Sequence, residues 1–72
     1  MNTYLLPYFV DGDVLIERVK AKDYNNAKEK FMEFFDDEFM LYDREIYDWD
    51  SMLNWMSDND IFVGDIYDLE EF

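Results

Sequence analysis

Carboxylates are the reactive side chains this sequence offers in quantity, and they are placed unevenly. Residues 36–72 hold thirteen aspartates and glutamates against one cation, Arg44, whereas residues 1–35 hold six acids and five bases. The two parts contribute −12 and −1 to the net charge of −13. There is no histidine and no cysteine, so the usual proton shuttle and the strongest nucleophile are missing, leaving carboxylate, lysine or tyrosine chemistry. A carboxylate pair can hydrolyse a glycoside, but only in a cleft whose walls fix the separation of the two acids. A chain of 72 residues can hardly build one, so a binding protein without cofactor is expected, not an enzyme.

Metal chemistry finds no better footing. Asp11-x-Asp13, Asp48-x-Asp50 and Asp58-x-Asp60 each open like a calcium loop, a motif that continues with a third oxygen donor, a glycine and a distant glutamate. Leu15, Met52 and Phe62 stand where that third donor belongs. No dedicated metal site is expected.

Acting together, the acids can present negative charge at close intervals. Duplex DNA carries one charge per roughly 1.7 Å of axis, so a region of net −12 matches about 20 Å of duplex. Carboxylates two apart on a strand, such as Asp43 and Glu45, lie roughly 7 Å apart on one face, and acids three or four apart on a helix come closer. Rows of this kind can occupy the positions where a basic groove expects phosphates. Solubility alone needs a net charge of only about 2 to 8 in a small domain, and a larger excess opposes folding by self-repulsion, so the surplus points to a partner.

Charge attraction is screened by salt and shared with any cationic protein, and specificity therefore needs anchors. Aromatic residues dominate interface hot spots, and the candidates are Trp55, beside the apolar stripe of its segment, and Tyr42, Tyr47 and Tyr67, each next to an acid. The expected contact set is these four with Asp36, Asp37, Glu38, Asp43, Glu45, Asp48, Asp50, Asp58, Asp60, Asp65 and Asp68. The fitting partner is a basic nucleic-acid-binding protein, a nuclease or other DNA-processing enzyme. Nucleic acid itself and anionic membrane demand a basic patch, and Arg18, Lys20, Lys22, Lys28 and Lys30 are interleaved with Glu17, Asp23, Glu29 and Glu33 into a mixed-charge face instead. A homodimer stays open.

Several elements must position these groups. Thr3–Val10 is rich in β-formers and Val14–Lys22 alternates, with Asp11-Gly12-Asp13 as turn chemistry between them, which predicts a hairpin. Pro7 cannot donate to a ladder, so it belongs on an edge strand, at a bulge, or with its nitrogen turned from the partner. Asp23 stands as an N-cap before Tyr24, Ala27, Phe31, Phe34 and Phe35, the apolar face of a helix ending near Asp36. Phe39–Leu41 and Glu45–Tyr47, on either side of Tyr42-Asp43-Arg44, are β-compatible and read as one strand, with or without a bulge. Trp49, Met52, Leu53 and Met56 stripe a short helix near Ser51–Ser57, capped by Asp48 or Asp50 and ended by a left-handed Asn59. Ile61–Val63 reads as a buried last strand broken by Gly64, and the tail Asp65–Phe72 either packs or frays.

Together these predict one α+β domain over residues 1–72: a small antiparallel sheet of three or four strands, the Asp23–Phe35 helix packed on one face, and a second short helix. Half the residues are hydrophobic and 21% are aromatic, far more apolar material than disordered tracts contain. With no signal sequence and no apolar run of about 18 residues, the expected compartment is the cytoplasm.

Small size, extreme acidity, abundant aromatic residues and the lack of cysteine and histidine together resemble the phage-encoded inhibitors that imitate DNA, among them anti-restriction proteins, uracil-DNA glycosylase inhibitors and anti-CRISPR proteins. The likeness is one of composition over the whole chain, and the stretch Ala21–Phe31, AKDYNNAKEKF, looks like a strand-to-helix junction common in small bacterial and phage proteins. Such a likeness implies a stoichiometric inhibitor that occupies an enzyme's DNA-binding surface in the host bacterial cytoplasm. The alternative is an acidic interaction module for a non-DNA surface of a host factor such as RNA polymerase, with the tail Asp65–Phe72 laid into a hydrophobic groove.

Self-repulsion among the acids gives a first prediction. At pH 7 the midpoint of thermal unfolding is expected to rise as NaCl increases from ~10 mM to ~150 mM, because the Debye length shrinks from about 30 Å to about 8 Å. A midpoint that does not move would show that the acids do not crowd one another.

Overall fold

The computed structural model describes residues 1–71. The alternating β-formers on either side of Asp11-Gly12 fold back on each other as β1 (Asn2–Val10) and β2 (Asp13–Ala21), paired antiparallel from Asn2 opposite Ala21 to Val10 opposite Asp13. Asp11 and Gly12 have φ of 52° and 83°, the two left-handed residues that a tight type I′ hairpin turn requires. Glycine meets that demand without strain and aspartate tolerates it.

Two further strands, β3 (Ile61–Val63) and β4 (Tyr67–Asp68), pair antiparallel with β1 on its other side, β3 against Tyr8–Val10 and β4 against Tyr4–Leu5. The sheet is therefore four-stranded and antiparallel, with β1 central. Pro7 thus lies in the middle strand, and the geometry explains why that is tolerated. Its carbonyl accepts a hydrogen bond from the Gly64 N–H at 2.8 Å. The nitrogen of the same residue points the same way, into the interval between β3 and β4, so the β1–β2 ladder loses no donor.

The inner face of the sheet supplies Tyr4, Leu6 and Tyr8 to the core, and α1 (Tyr24–Phe39) lays Ala27, Phe31 and Phe35 upon them. Met52 and Met56 of α2 (Trp49–Asp58), Ile61 of β3, and Leu41 and Ile46 from the connection between the helices complete it. Tyr8 meets Phe35 edge-on at 5.1 Å and Phe34 at 6.3 Å, the arrangement that the ring quadrupoles favour. Asp23 caps α1 as expected, its Oδ1 accepting from the Asn26 N–H at 2.8 Å. Among the described residues no helix is long and apolar enough to cross a membrane.

Four local expectations are corrected. First, α1 does not end near Asp36 but runs one turn further to Phe39. The reason is visible in its stripe: Phe39 lies four residues after Phe35 and stacks on it at 6.0 Å, so burial of that ring extends the helix. Second, residues 39–47 form no strand. Met40 turns left-handed at φ 56°, Tyr42–Arg44 make one 3-10 turn, and Leu41 is buried at the bend. Third, the left-handed residue after α2 is Asp60 (φ 61°), while Asn59 has φ −108° and donates from its side chain to the Trp55 carbonyl. Fourth, β3 is not the last strand, since β4 follows it, and Phe62 within β3 is exposed rather than buried. Of the tail, residues 65–71 are laid against the sheet as β4 and a 3-10 turn, Leu69–Glu71; Phe72 lies outside the described residues.

Gly64 is the residue that lets the chain pass beside Pro7. A Cβ placed there would come within 3.0 Å of Pro7 Cγ and 3.2 Å of Pro7 O, tighter than ordinary carbon contacts, so that the ring or the strand must give by a few tenths of an ångström. Gly64→Ala is expected to destabilise the fold by about 1–3 kcal/mol, the usual range for overpacking, measured by denaturant unfolding. The combined Pro7→Ala, Gly64→Ala protein is expected to recover part of that loss. Unchanged stability of the single variant would contradict this close approach.

Candidate protein-binding groove

The outward flank of α1 carries Glu29, Glu33, Asp36 and Asp37, and the connection to α2 passes beside it. Between them runs a shallow groove made of three adjoining hollows. The first is lined by Asn25, Lys28, Glu29, Met32, Tyr47, Asp48 and Trp49. A second shares Glu29, Met32 and Tyr47 with it and adds Glu33 and Tyr42, and a third shares Tyr42 and adds Asp36, Asp37, Met40 and Asp43. One wall is therefore the acidic row of α1, and the other carries Asp43 and Asp48. Met32 forms a half-buried floor, and the rings of Tyr42 and Tyr47 stand 5.5 Å apart at the rim, 59% and 62% exposed.

Helix geometry sets the charge spacing. From Glu29 to Asp37 the helix rises about 12 Å, and four carboxylates over that length give one charge per roughly 4 Å. A single strand of DNA presents one phosphate per about 3.4 Å of axis. The match is in linear density along a rigid rod, something a flexible acidic tail does not offer.

The groove's far wall is held by hydrogen bonds that the sequence encodes locally. Asp36 anchors the bend: its Oδ1 accepts from the Tyr42 N–H at 2.8 Å, and its carbonyl accepts from the Leu41 N–H at 3.3 Å and from the Met40 N–H. Arg44 donates to the carbonyls of Phe39 and Met40 at 2.9 and 3.1 Å and lies 5.0 Å from the centre of the Trp55 ring. Asp36, Asp37 and Glu38 fall in the last turn of α1, where the helix dipole is negative, and Arg44 supplies the opposing charge at the same end. Lys28 sits over the rings of Tyr24 and Trp49, at 5.8 and 5.5 Å, and Lys30 donates to the Lys20 carbonyl. These three cations are held by carbonyl oxygens and ring faces rather than by the groove's carboxylates.

At the other end of the wall, Asp48 caps α2. It accepts from the Ser51 N–H at 2.8 Å and from the Ser51 hydroxyl at 3.1 Å. The backbone bond, then the side-chain bond, holds its carboxyl below the ordinary aspartate value, because both favour the anion. Tyr8, by contrast, has its hydroxyl pushed up, first by burial and then by the charges of Glu17 and Glu38. Glu38 therefore lies close enough to the sheet's inner face for its charge to reach Tyr8, on a different flank of α1 from the groove.

Of the fifteen residues expected at the contact surface, the fold gathers Asp36, Asp37, Tyr42, Asp43, Tyr47 and Asp48 along this groove. The others fall elsewhere. Asp50 is in the first turn of α2, Asp58 ends that helix, and Asp60 turns the chain towards β3. Glu45 is left-handed after the 3-10 turn. Asp68 accepts from the Asn2 amide at 3.0 Å and from the Glu70 N–H at 3.0 Å, and Asp65 is exposed in the β3–β4 link. Tyr67 pairs with Leu5 on the opposite face of the sheet. Trp55 is half-buried against Phe39 at 6.1 Å and under Arg44, part of the packing rather than the rim. Conversely, Glu29 and Glu33 belong to the groove although they lie in the nearly neutral part of the chain. Their signal is the i, i+4, i+8 spacing of 29, 33 and 37 on one helix.

No protein-family model matches this chain, and no curated protein and no solved structure matches it either.

The Asp48 cap gives a pH dependence of definite sign. Because its folded carboxyl titrates below the unfolded one, its contribution is complete above the ordinary aspartate value and is lost as pH falls through the folded one. Asp48→Asn keeps an N-cap acceptor but removes the titration. The gap in thermal midpoint between the natural protein and Asp48→Asn is expected to be widest near neutral pH and to narrow on acidification. A gap constant down to pH ~2 would show that the charge of Asp48 adds nothing to the cap.

Proposed function

We propose that this protein is an acidic inhibitor that imitates DNA and blocks the nucleic-acid-binding groove of a DNA-processing enzyme, such as a nuclease of a restriction or CRISPR system. The observation that supports this reading above all is the rigid carboxylate row Glu29, Glu33, Asp36 and Asp37, at roughly the linear charge density of one DNA strand, faced across a groove by Asp43 and Asp48.

Arginine and lysine side chains that hold phosphates would meet carboxylates at comparable intervals, through charge-assisted hydrogen bonds. The exposed Tyr42 and Tyr47 rings supply what charge cannot, since large rings with few rotatable bonds give contact area at small entropic cost. The row is built on a helix and the facing wall is hydrogen-bonded to it, so little order has to be gained on binding. The competing reading, a tail laid into a partner's hydrophobic groove, needs residues 65–71 free, and they are engaged on β1 through β4 and the bond from the Thr3 N–H to Glu70.

The test is capture of a partner from bacterial lysate on the immobilised chain, followed by titration of the purified partner with and without duplex DNA. Binding is expected to be competed by DNA and to weaken steeply with salt. Glu33→Lys combined with Asp43→Lys is expected to weaken it at least a hundredfold, and Tyr42→Ala or Tyr47→Ala by about tenfold or more, the scale of hot-spot truncations. A complex that coexists with bound DNA, or one indifferent to the Glu33 and Asp43 reversals, would overturn the proposal.

A further inference from the structure

Both helices pack on one side of the sheet, through residues that join Tyr4, Leu6 and Tyr8. The alternation of β1 turns Leu5, Pro7 and Phe9 to the other side, and the register sets Val14, Ile16 and Arg18 beside them on β2, Phe62 on β3 and Tyr67 on β4. Among the described residues no helix covers this face, and its apolar side chains stand in solvent: Phe9 is 47% exposed, Val14 58%, Ile16 56%, Phe62 56% and Tyr67 41%. With aromatic side chains of about 150–250 Å² each, the three rings expose about 300 Å², and the aliphatic pair brings the patch to the order of 500 Å². That is near the most a soluble monomer leaves open.

We infer that this face is the interface of a two-fold homodimer, formed by two copies stacked sheet to sheet with their β1–β2 hairpins antiparallel. Area is the first argument. A standard interface takes about 800 Å² from each partner, some 56–65% of it apolar, or about 450–520 Å², which is what the patch provides. Charge distribution is the second. The outward strand positions bear no carboxylate; they bear Arg18 and Lys20, both at the open end of the hairpin, whereas Asp11 stands in its turn, and Asp13, opposite Val10, belongs to the helix side of the sheet. Glu70 lies across β1 from these cations, tied to the Thr3 N–H at 2.8 Å. An antiparallel two-fold stack brings the basic end of each hairpin onto the acidic turn of the other, and a two-fold makes that contact twice. The same stack points both acidic grooves outward, on opposite sides of the dimer, so the strongest like charges stay far apart. This inference does not depend on what the groove binds.

Analytical ultracentrifugation of the full chain at moderate salt tests it. The expected species at micromolar concentration has twice the 8.9 kDa of one chain. Ile16→Glu and Phe62→Glu change side chains already in solvent, so each is expected to give a folded monomer, with unaltered circular dichroism and melting. Arg18→Glu and Asp11→Asn are each expected to weaken the dimer about tenfold, since each substitution removes two symmetry-related pairs; aspartate and asparagine both tolerate the left-handed turn. A chain that stays monomeric at ~100 μM would overturn the inference, as would a dimer that survives Ile16→Glu and Phe62→Glu together. A dimer sensitive to the apolar changes but not to Arg18→Glu or Asp11→Asn would overturn the antiparallel arrangement.

Discussion

The acidic part of this molecule depends on a single counter-charge. Arg44 is the one cation among residues 36–72, and it lies where the negative end of α1 and three consecutive acids coincide. Its guanidinium closes the carbonyls of Phe39 and Met40 while its face covers Trp55. Without that cation, the last turn of α1 would hold Asp36, Asp37 and Glu38 against its own dipole with nothing to offset them. Burial of Phe39 carries the helix to that residue, Arg44 closes the end so formed, the chain bends through Leu41, and the tyrosines that rim the groove are carried round to face α1. A structural cation thereby serves an anionic surface: it fixes the carboxylates without neutralising them, because it bonds backbone oxygens and a ring.

Much of this architecture was legible because it rests on local chemistry. Asp11-Gly12 specified its turn through the φ values that those residues tolerate, and Asp23 and Asp48 announced their caps by side-chain oxygens placed three residues ahead of the N–H groups they satisfy. What was missed rests on contacts between distant parts of the chain. Residues 39–47 contain good strand formers, yet Phe39 is claimed by Phe35 and Trp55, and Leu41 by the core. Burial decided the conformation, and propensity yielded. Pro7 in the central strand became intelligible only with Gly64 opposite it, fifty-seven residues later in the sequence.

The site was half legible for a related reason. Counting charge along the chain put a boundary at Asp36 and set Glu29 and Glu33 aside as a mixed-charge face, whereas a helix gathers residues by angle, and 29, 33 and 37 share one flank. The same count grouped Tyr67 and Asp68 with Tyr42 and Asp43, although the sheet separates them: Tyr67 turns to the open face and Asp68 is tied to Asn2. Sequence proximity measured the excess of charge correctly and its distribution poorly.

The two faces of the molecule obey different physics, and this bears on how they would work together. The proposed attraction between the groove and a basic partner would be Coulombic and would fade with salt. Association through the sheet face, in the inferred dimer, would have the opposite dependence: its main gain is burial of apolar surface, and the long-range repulsion between two bodies of net −13 that opposes it is screened by salt, as are the smaller contacts between Arg18 and Asp11 at the hairpin ends. At physiological ionic strength, with a Debye length of about 8 Å, repulsion between outward grooves on opposite sides of a stack is strongly damped, while a carboxylate row in direct contact with a partner's cations is damped far less. Those are the conditions under which a dimer could present two grooves at once. For a target that is itself two-fold, or that binds duplex at two points, the second engagement would be intramolecular, and avidity would rise without any new contact.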